Sequence, residues 1–358
     1  MLPTIAIDCR FAASPLGLGR YVRELVSRMV QSKEASFTLL LTGSDHAWLG
    51  DIGEHCRLIN VDIPHYSIAE QLRLPRLLAR IHPDVYFVPH FNALVLSPIP
   101  TVITVHDLIL HHYPNEASIV RQLAYRSLIG AAIRRARTTV AVSSFVREEL
   151  IARYGLRAAQ KTIVIPEGVS SHFSPQSEAH CAQVLERYGM RTPYFLYVGS
   201  AKEHKNVPML IQTFQKAQVP ECMLVLVTGG REAHSLHPLP PFVRMISDVP
   251  EADMPALYSA ARAFVTASLY EGYGLPVAEA LACGCPVIAS NRTAIPEVAN
   301  GHAQLVEPEV DSFAHALRNP PLRGGPFRVA SWEKAAARTL EALMAACASP
   351  ARDSSLSA

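Results

Sequence analysis

No stretch of this 358-residue chain approaches the roughly 20 uninterrupted apolar residues that a membrane-spanning helix needs. The strongest candidate, 93–105, is cut by Pro98 and Pro100, so a soluble or peripheral protein is expected. The opening MLPTIAIDCRFAASP lacks a basic leader and reaches Asp8 before any long apolar core, which argues against a signal peptide. An excess of either charge is also missing: 33 Lys plus Arg stand against 31 Asp plus Glu, a formal +2. Without a global field to hold a phosphate backbone, nucleic acid is not an expected partner. The seven cysteines (9, 56, 181, 222, 283, 285 and 347) are odd in number and contain no CxxC pair. They read as reduced thiols of a cytosolic protein, not as a disulfide framework or a zinc site. No internal repeat at a solenoid period is present.

What the chain does have is apolar residues in short bursts. Hydrophobic residues make up 49% and charged residues 18%, which excludes a disordered chain and suits large buried sheets. Single cores stop growing near ~250–300 residues, so two domains are expected. Runs rich in Val, Ile, Leu and Phe fall at 4–9, 37–42, 57–63, 84–89, 101–106, 138–143 and 162–166. They resume at 194–199, 222–229, 242–247, 263–268, 286–290 and 303–308. Most are continuous, as in strands covered on both faces. Amphipathic helical patterns such as 19–31, 144–155, 209–217 and 254–263 lie between them. Strand alternating with helix, twice over, predicts two doubly wound α/β domains. Turn formers in IPEGVSSHFSPQSE place the seam at 166–193, giving domains 1–168 and 169–330. A last helix over 331–350, anchored by Trp332, is expected to cross back to the first domain, before a frayed tail, SPARDSSLSA. Ligands of such sheets bind outside the carboxyl ends of the strands. Functional residues should therefore come just after strands.

The most informative segment is ASLYEGYGLPVAEALACGCPVIAS, 267–290. A strand ends near Ser268, Glu271-Gly272-Tyr273-Gly274 forms a loop, Pro276 suits a first helical turn and Gly284 stops the helix. Glycines beside a helix N-terminus leave backbone N–H groups open to an anion such as a diphosphate. Glu271 sits in the loop and Glu279 in the first helical turn, eight positions apart. That interval recurs at Glu178/Glu186 and Glu333/Glu341, both read as solvated helix faces. The alternatives are a helix-dipole partner for Glu279 and a surface charge for Glu271. The strand–loop–glycine–proline–helix context favours function.

Glu271 to Glu279, E-G-Y-G-L-P-V-A-E, resembles the Glu-x7-Glu signature of glycosyltransferase family 4, retaining enzymes of the GT-B fold. The resemblance extends over nearly the whole chain. Gly17-Leu18-Gly19-Arg20-Tyr21 is similar to the family's N-terminal glycine loop, and Val105-His106-Asp107-Leu108 to its histidine segment. Ala141-Val142-Ser143-Ser144 is similar to its next strand end, and Ile165-Pro166-Glu167-Gly168-Val169 to its interdomain Pro-x-Gly-Val. Tyr197-Val198-Gly199 through Lys205-Asn206 resembles the phosphate-binding strand end, and Ile295-Pro296-Glu297-Val298 the late Pro-Glu-Val. Within the family the chain is similar to bacterial mannosyltransferases of surface-polysaccharide synthesis. The fold implied is two Rossmann-like domains facing across a cleft, the first binding acceptor and the second the nucleotide sugar.

The resemblance also implies roles. Glu279 would bind the ribose hydroxyls, Glu271 hydroxyls of the donor sugar, and Lys205 the departing diphosphate. Gly17, Gly19, Gly199, Ser200, Val249, Gly272, Tyr273, Gly274 and Leu275 would complete the nucleotide-sugar site, with the base read by backbone near 247–249. His106 would contact the donor sugar and the forming linkage; the alternative is a capping or core histidine. Lys205 has the alternative of a solvated surface lysine, and Gly17-Leu18-Gly19 that of an ordinary βα turn. Family members often carry Arg where this chain has Ser200, and Lys202 is a candidate substitute. His106 with His111 and His112 mimics a metal pattern, but the interval does not set two ligands on one helix face. No D-x-D occurs, which agrees with a metal-independent transferase needing no cofactor. Arg121, Arg126, Arg134, Arg135 and Arg137 decorate a helix that also carries Leu123, Leu128, Ile129 and Ile133. That helix is either a contact for an anionic membrane or a solvated basic face. The expected reaction moves a hexose, mannose from GDP-mannose, onto a glycan or lipid-linked acceptor. It would work in the cytoplasm, with peripheral contact at the inner face of the cytoplasmic membrane. Alternatives are another GDP- or UDP-hexose (rhamnose, glucose), a nucleotide-sugar epimerase of the same fold, and a non-catalytic glycan-binding subunit.

Overall fold

The structure, a computed structural model, describes residues 2–14, 17–43, 47–114, 119–191, 193–325, 327 and 329–348. The tail expected to fray, 349–358, lies outside the described residues. Two compact units divide the chain. The first takes the described residues within Met1–His111, Ala117–Gly168 and Trp332–Ala358, the second those within His112–Glu116 and Val169–Ser331.

Each of the thirteen apolar runs holds one strand. The first unit contains β1 (Thr4–Asp8), β2 (Ser36–Leu41), β3 (Arg57–Asn60), β4 (Val85–Val88), β5 (Thr101–Val105), β6 (Thr138–Ala141) and β7 (Thr162–Val164). The second contains β8 (Tyr194–Val198), β9 (Met223–Val227), β10 (Val243–Ile246), β11 (Ala263–Thr266), β12 (Val287–Ser290) and β13 (Gln304–Val306). The first sheet runs β3-β2-β1-β4-β5-β6-β7 and the second β10-β9-β8-β11-β12-β13, with every pairing parallel. Both are Rossmann-like orders. Their direction reverses between β1 and β4 and between β8 and β11, the places where such sheets open a ligand crevice.

Burial on both faces explains the unbroken apolar runs: β4, β5, β11 and β12 are buried at every position. Parallel strands need covered faces because their crossovers lay helices on each side. In the first unit the final helix, Trp332–Ala348, sends Trp332, Ala336, Leu340 and Leu343 into the same core as Ile5, Val85 and Phe87. Trp332 is fully buried and meets Tyr21 edge-on at 5.7 Å. In the second unit Phe195, Leu224, Val265 and Ile288 pack with Phe214 and Phe313.

Candidate active site

In the second unit the site begins where β8 ends. Gly199 adopts φ 151°, and a Cβ there would fall 2.9 Å from the Tyr197 hydroxyl. That hydroxyl donates to the Ser200 carbonyl at 2.6 Å, so the tyrosine props the turn from below and glycine is required above it. A short turn, Glu203–Lys205, then leads through left-handed Asn206 (φ 54°) into the helix Val207–Ala217. This path leaves Lys205 half-buried, with its Nζ donating to Glu271 Oε1 at 2.6 Å. Lys202, the candidate arginine substitute, is exposed on the same loop.

Glu271 arrives from the other side of the switch point, after β11. Its loop is held firmly: the Leu269 N–H donates to the His204 carbonyl at 2.7 Å, and the Glu271 N–H to Thr293 Oγ1 at 2.9 Å. Gly272 and Tyr273 follow, and Gly274 (φ 100°) opens the helix Leu275–Ala282 in a conformation that favours glycine. Glu279 lies in that helix but not in its first turn as the sequence suggested. The helix starts at Leu275, which weakens a helix-dipole role. Its side chain is buried at 4% exposure and accepts a 3.0 Å hydrogen bond from the Tyr258 hydroxyl. Val249 lies half-buried in the loop after β10, two strands from β8 and so roughly 10 Å further along the edge. Thus the fold brings Gly199, Ser200, Lys205 and Glu271 to one switch point and stations Val249 apart. Tyr258 and Thr293 were not picked out from the sequence. Nothing local marks a tyrosine in a buried helix, and Thr293 is visible only as a residue shortly after a strand.

The first unit builds a different edge. Gly17 and Gly19 open the helix Gly17–Met29. At Gly19 an added Cβ would fall 1.9 Å from the Ser14 carbonyl oxygen, so this glycine permits a close backbone approach, whereas Gly17 has open space. His106 follows β5. Its Nδ1 lies 2.9 Å from Glu167 Oε1, its Nε2 lies 3.0 Å from the Pro89 carbonyl, and Tyr21 meets the ring edge-on at 4.5 Å. Burial pulls the His106 pKa down, but the Glu167 bond and charge, the Pro89 carbonyl and Asp107 outweigh it and the net direction is up. His90, 6.3 Å away, goes the other way: burial first, then repulsion from His106 and His65, pushes it well below the ordinary value.

A buried ion network supports this edge and escaped the sequence reading. Arg10 Nε and Nη2 donate to the two carboxylate oxygens of Asp8 at 2.8 and 2.6 Å, and Nη2 also reaches Glu70 at 2.6 Å. The Tyr86 hydroxyl donates to Asp8 at 3.0 Å and the Asn92 amide to Glu70 at 3.0 Å. The only local signal was two charged residues, Asp8 and Arg10, at the end of an apolar strand. The histidines of the metal-like pattern are not gathered: His111 Nε2 pairs with the Tyr154 hydroxyl at 3.4 Å, while the His112 ring packs on Tyr270 at 5.0 Å. Among the described residues no group of three or more His, Cys, Asp or Glu is arranged to hold a metal ion.

Two Rossmann-like units in one chain, each with polar residues at the switch point, are the architecture of GT-B glycosyltransferases. Sucrose-phosphate synthase from Thermosynechococcus elongatus superposes with a TM-score of 0.68 over 96% of each chain at 22% identity, a likeness of fold. Residues 16–173 match Glycosyltransferase Family 4 and residues 192–319 match Glycosyl transferases group 1. O-antigen chain mannosyltransferase B of Escherichia coli is 31% identical over 342 residues, covering 86% of this chain and 89% of that one. O-antigen chain mannosyltransferase RfbU of Salmonella typhimurium is 28% identical over 225 residues, covering 61% and 60%. The chain belongs to glycosyltransferase family 4.

Proposed function

We propose that this enzyme is a retaining hexosyltransferase of surface-polysaccharide synthesis that moves mannose from GDP-mannose onto a glycan or lipid-linked oligosaccharide. The observation that carries the reading is the Lys205–Glu271 ion pair at the second switch point, with the buried Glu279 on the helix that follows. A donor diphosphate takes over the ammonium of Lys205, which frees Glu271 to accept hydrogen bonds from the sugar hydroxyls. Glu279, oriented by Tyr258, receives the ribose hydroxyls. In the transfer, the bond from the anomeric carbon to the diphosphate oxygen breaks. A bond to the acceptor oxygen forms on the same face, and the acceptor proton passes to the departing phosphate oxygen. Lys205 and the N–H groups around Gly272 and Gly274 stabilise the charge that grows there. This chemistry needs neither a strong general base nor a metal ion. In this reading His106 is the residue assigned, by the family resemblance, to the donor sugar and the forming linkage.

The decisive measurement is a thermal-shift panel of GDP- and UDP-sugars followed by acceptor-dependent release of the nucleotide. GDP-mannose should raise Tm, because a ligand of the folded state alone shifts unfolding. A response to UDP-hexoses only would replace the donor, nucleotide-sugar turnover without acceptor would point to an epimerase, and no response would favour a glycan-binding subunit.

Contact with an anionic membrane belongs to the same proposal. The helix Ile119–Arg135 turns Ile129 and Ile133 into the core, so these two are not part of any membrane face as the sequence suggested. Its outward side exposes Ile119, Leu123 and Arg126. At its end Arg134, Arg135, Arg137, Arg157 and Lys161 line a cavity of about 920 Å³ with no acidic residue among the described residues of its wall. Basic and apolar groups together suit a phosphate headgroup. Among the described residues no helix is long and apolar enough to cross a membrane. Co-sedimentation with phosphatidylglycerol vesicles but not phosphatidylcholine vesicles, lost in Arg134→Glu/Arg135→Glu, is expected; equal behaviour with both lipids would sink the contact.

A further inference from the structure

We infer that Glu167 is a positioning residue that holds His106 as a doubly donating imidazolium, so that the enzyme works with a charged histidine at the end of β5. The inference rests on the proposed role of His106 and names what sets its state. Glu167 is 7% exposed and belongs to the Pro166-Glu167-Gly168 segment that follows β7.

Both ring nitrogens of His106 face oxygen acceptors at hydrogen-bond distance, Glu167 Oε1 at 2.9 Å and the Pro89 carbonyl at 3.0 Å. A neutral imidazole has one N–H. If it sat on Nδ1, the lone pair of Nε2 would point at a carbonyl oxygen. If it sat on Nε2, the lone pair of Nδ1 would point at a carboxylate. Each arrangement sets like charge against like at contact distance in a buried site, where such repulsion is poorly screened. A proton on each nitrogen removes the clash of either tautomer and makes both bonds charge-assisted.

The other groups around the ring fit this state. Asp107 follows in sequence and adds negative potential, and the Tyr21 edge packs at 4.5 Å with its hydroxyl 3.2 Å from Thr104 Oγ1. His90, whose ring would repel a cation, stays neutral: its Nδ1 accepts from the Asn92 N–H at 3.2 Å, and burial drives its pKa down. The edge therefore carries one charged and one neutral histidine within 6.3 Å. Two titratable rings pushed in opposite directions are a mark of a tuned site.

The test uses the full chain with ¹⁵N-labelled histidine, the His106 ring signals being identified by their loss in His106→Asn. In the wild type the His106 midpoint should lie above the ordinary value of about 6.5. In Glu167→Gln, which keeps a side chain of the same shape without charge, it should fall by about 1–2 pH units. The high-pH limb of kcat/KM with GDP-mannose should move acidward by the same amount, activity approaching wild type at low pH, and Glu167→Asp should restore most of the shift. A wild-type midpoint below about 6.5, or one that Glu167→Gln leaves in place, overturns the inference, and so does a variant equally slow at every pH. The wild-type titration needs no donor to be turned over. Failure of any nucleotide sugar to react would therefore count against the proposed reaction and leave the Glu167–His106 pair standing.

Discussion

Lys205 and Glu271 neutralise each other at 2.6 Å while both are mostly covered, so under the proposed reaction a diphosphate would compete with a carboxylate for one ammonium. Lys205→Ala removes the cation proposed to face the leaving group and should lower kcat by about 10²–10³, the usual loss for a preorganised charge partner. Glu271→Ala should act mainly on kcat and Glu279→Ala mainly on donor KM, because a sugar contact near the breaking bond strengthens in the transition state and a ribose contact does not. Steady-state kinetics in GDP-mannose would separate them; unchanged kinetics in both glutamate variants would refute the assignment. Tyr258→Phe removes the hydroxyl that bonds Glu279 and should raise KM about two- to tenfold, with kcat held. The two glutamates and the lysine stood out in the sequence as motif residues. Their pairings did not, because Lys205 and Glu271 meet across 66 positions and Glu279 and Tyr258 across 21.

At the scale of single elements, the carboxyl end of β1 depends on ions that water does not reach. Asp8, Arg10 and Glu70 are at most 2% exposed. Arg10→Met leaves two buried carboxylates without their cation and should cost about 3–5 kcal/mol in urea unfolding. Glu70 titrates below the ordinary glutamate value: burial alone would raise it, but the His65, Arg10 and Asn92 contacts lower it further. Its stabilisation is therefore complete above the ordinary value and fades as pH falls through the lowered one. Wild type should lose stability on acidification below about pH 4, and Glu70→Gln, weaker at neutral pH, should show a flatter acid limb; parallel curves would contradict this. Strand positions were legible here because two-sided burial leaves an unbroken apolar signature. The helix Ile68–Ile81, which supplies Glu70, was not drawn from the pattern, since Pro75 interrupts it and Ile68 and Leu72 face outward.

For the molecule as a whole, cysteine placement makes a simple prediction. Cys9, Cys181, Cys222, Cys283 and Cys285 are buried, while Cys56 and Cys347 are half-buried. Burial pushes the thiols up, Cys285 to about 12, so almost no thiolate is present at neutral pH. An aromatic disulfide reagent should label no more than two thiols quickly in the native protein and all seven after denaturation. Rapid labelling of five would show that the cores open far more readily than their packing implies.

The order of the strands, the α/β class and the family signature were present in the amino-acid sequence, because periodicity and motif are local properties that need no partner. The tertiary structure alone decided which charges meet. It set Lys205 against Glu271, Tyr258 beneath Glu279 and Glu167 beside His106, since a side chain's charge state depends on what the fold packs around it and no stretch of sequence carries that information.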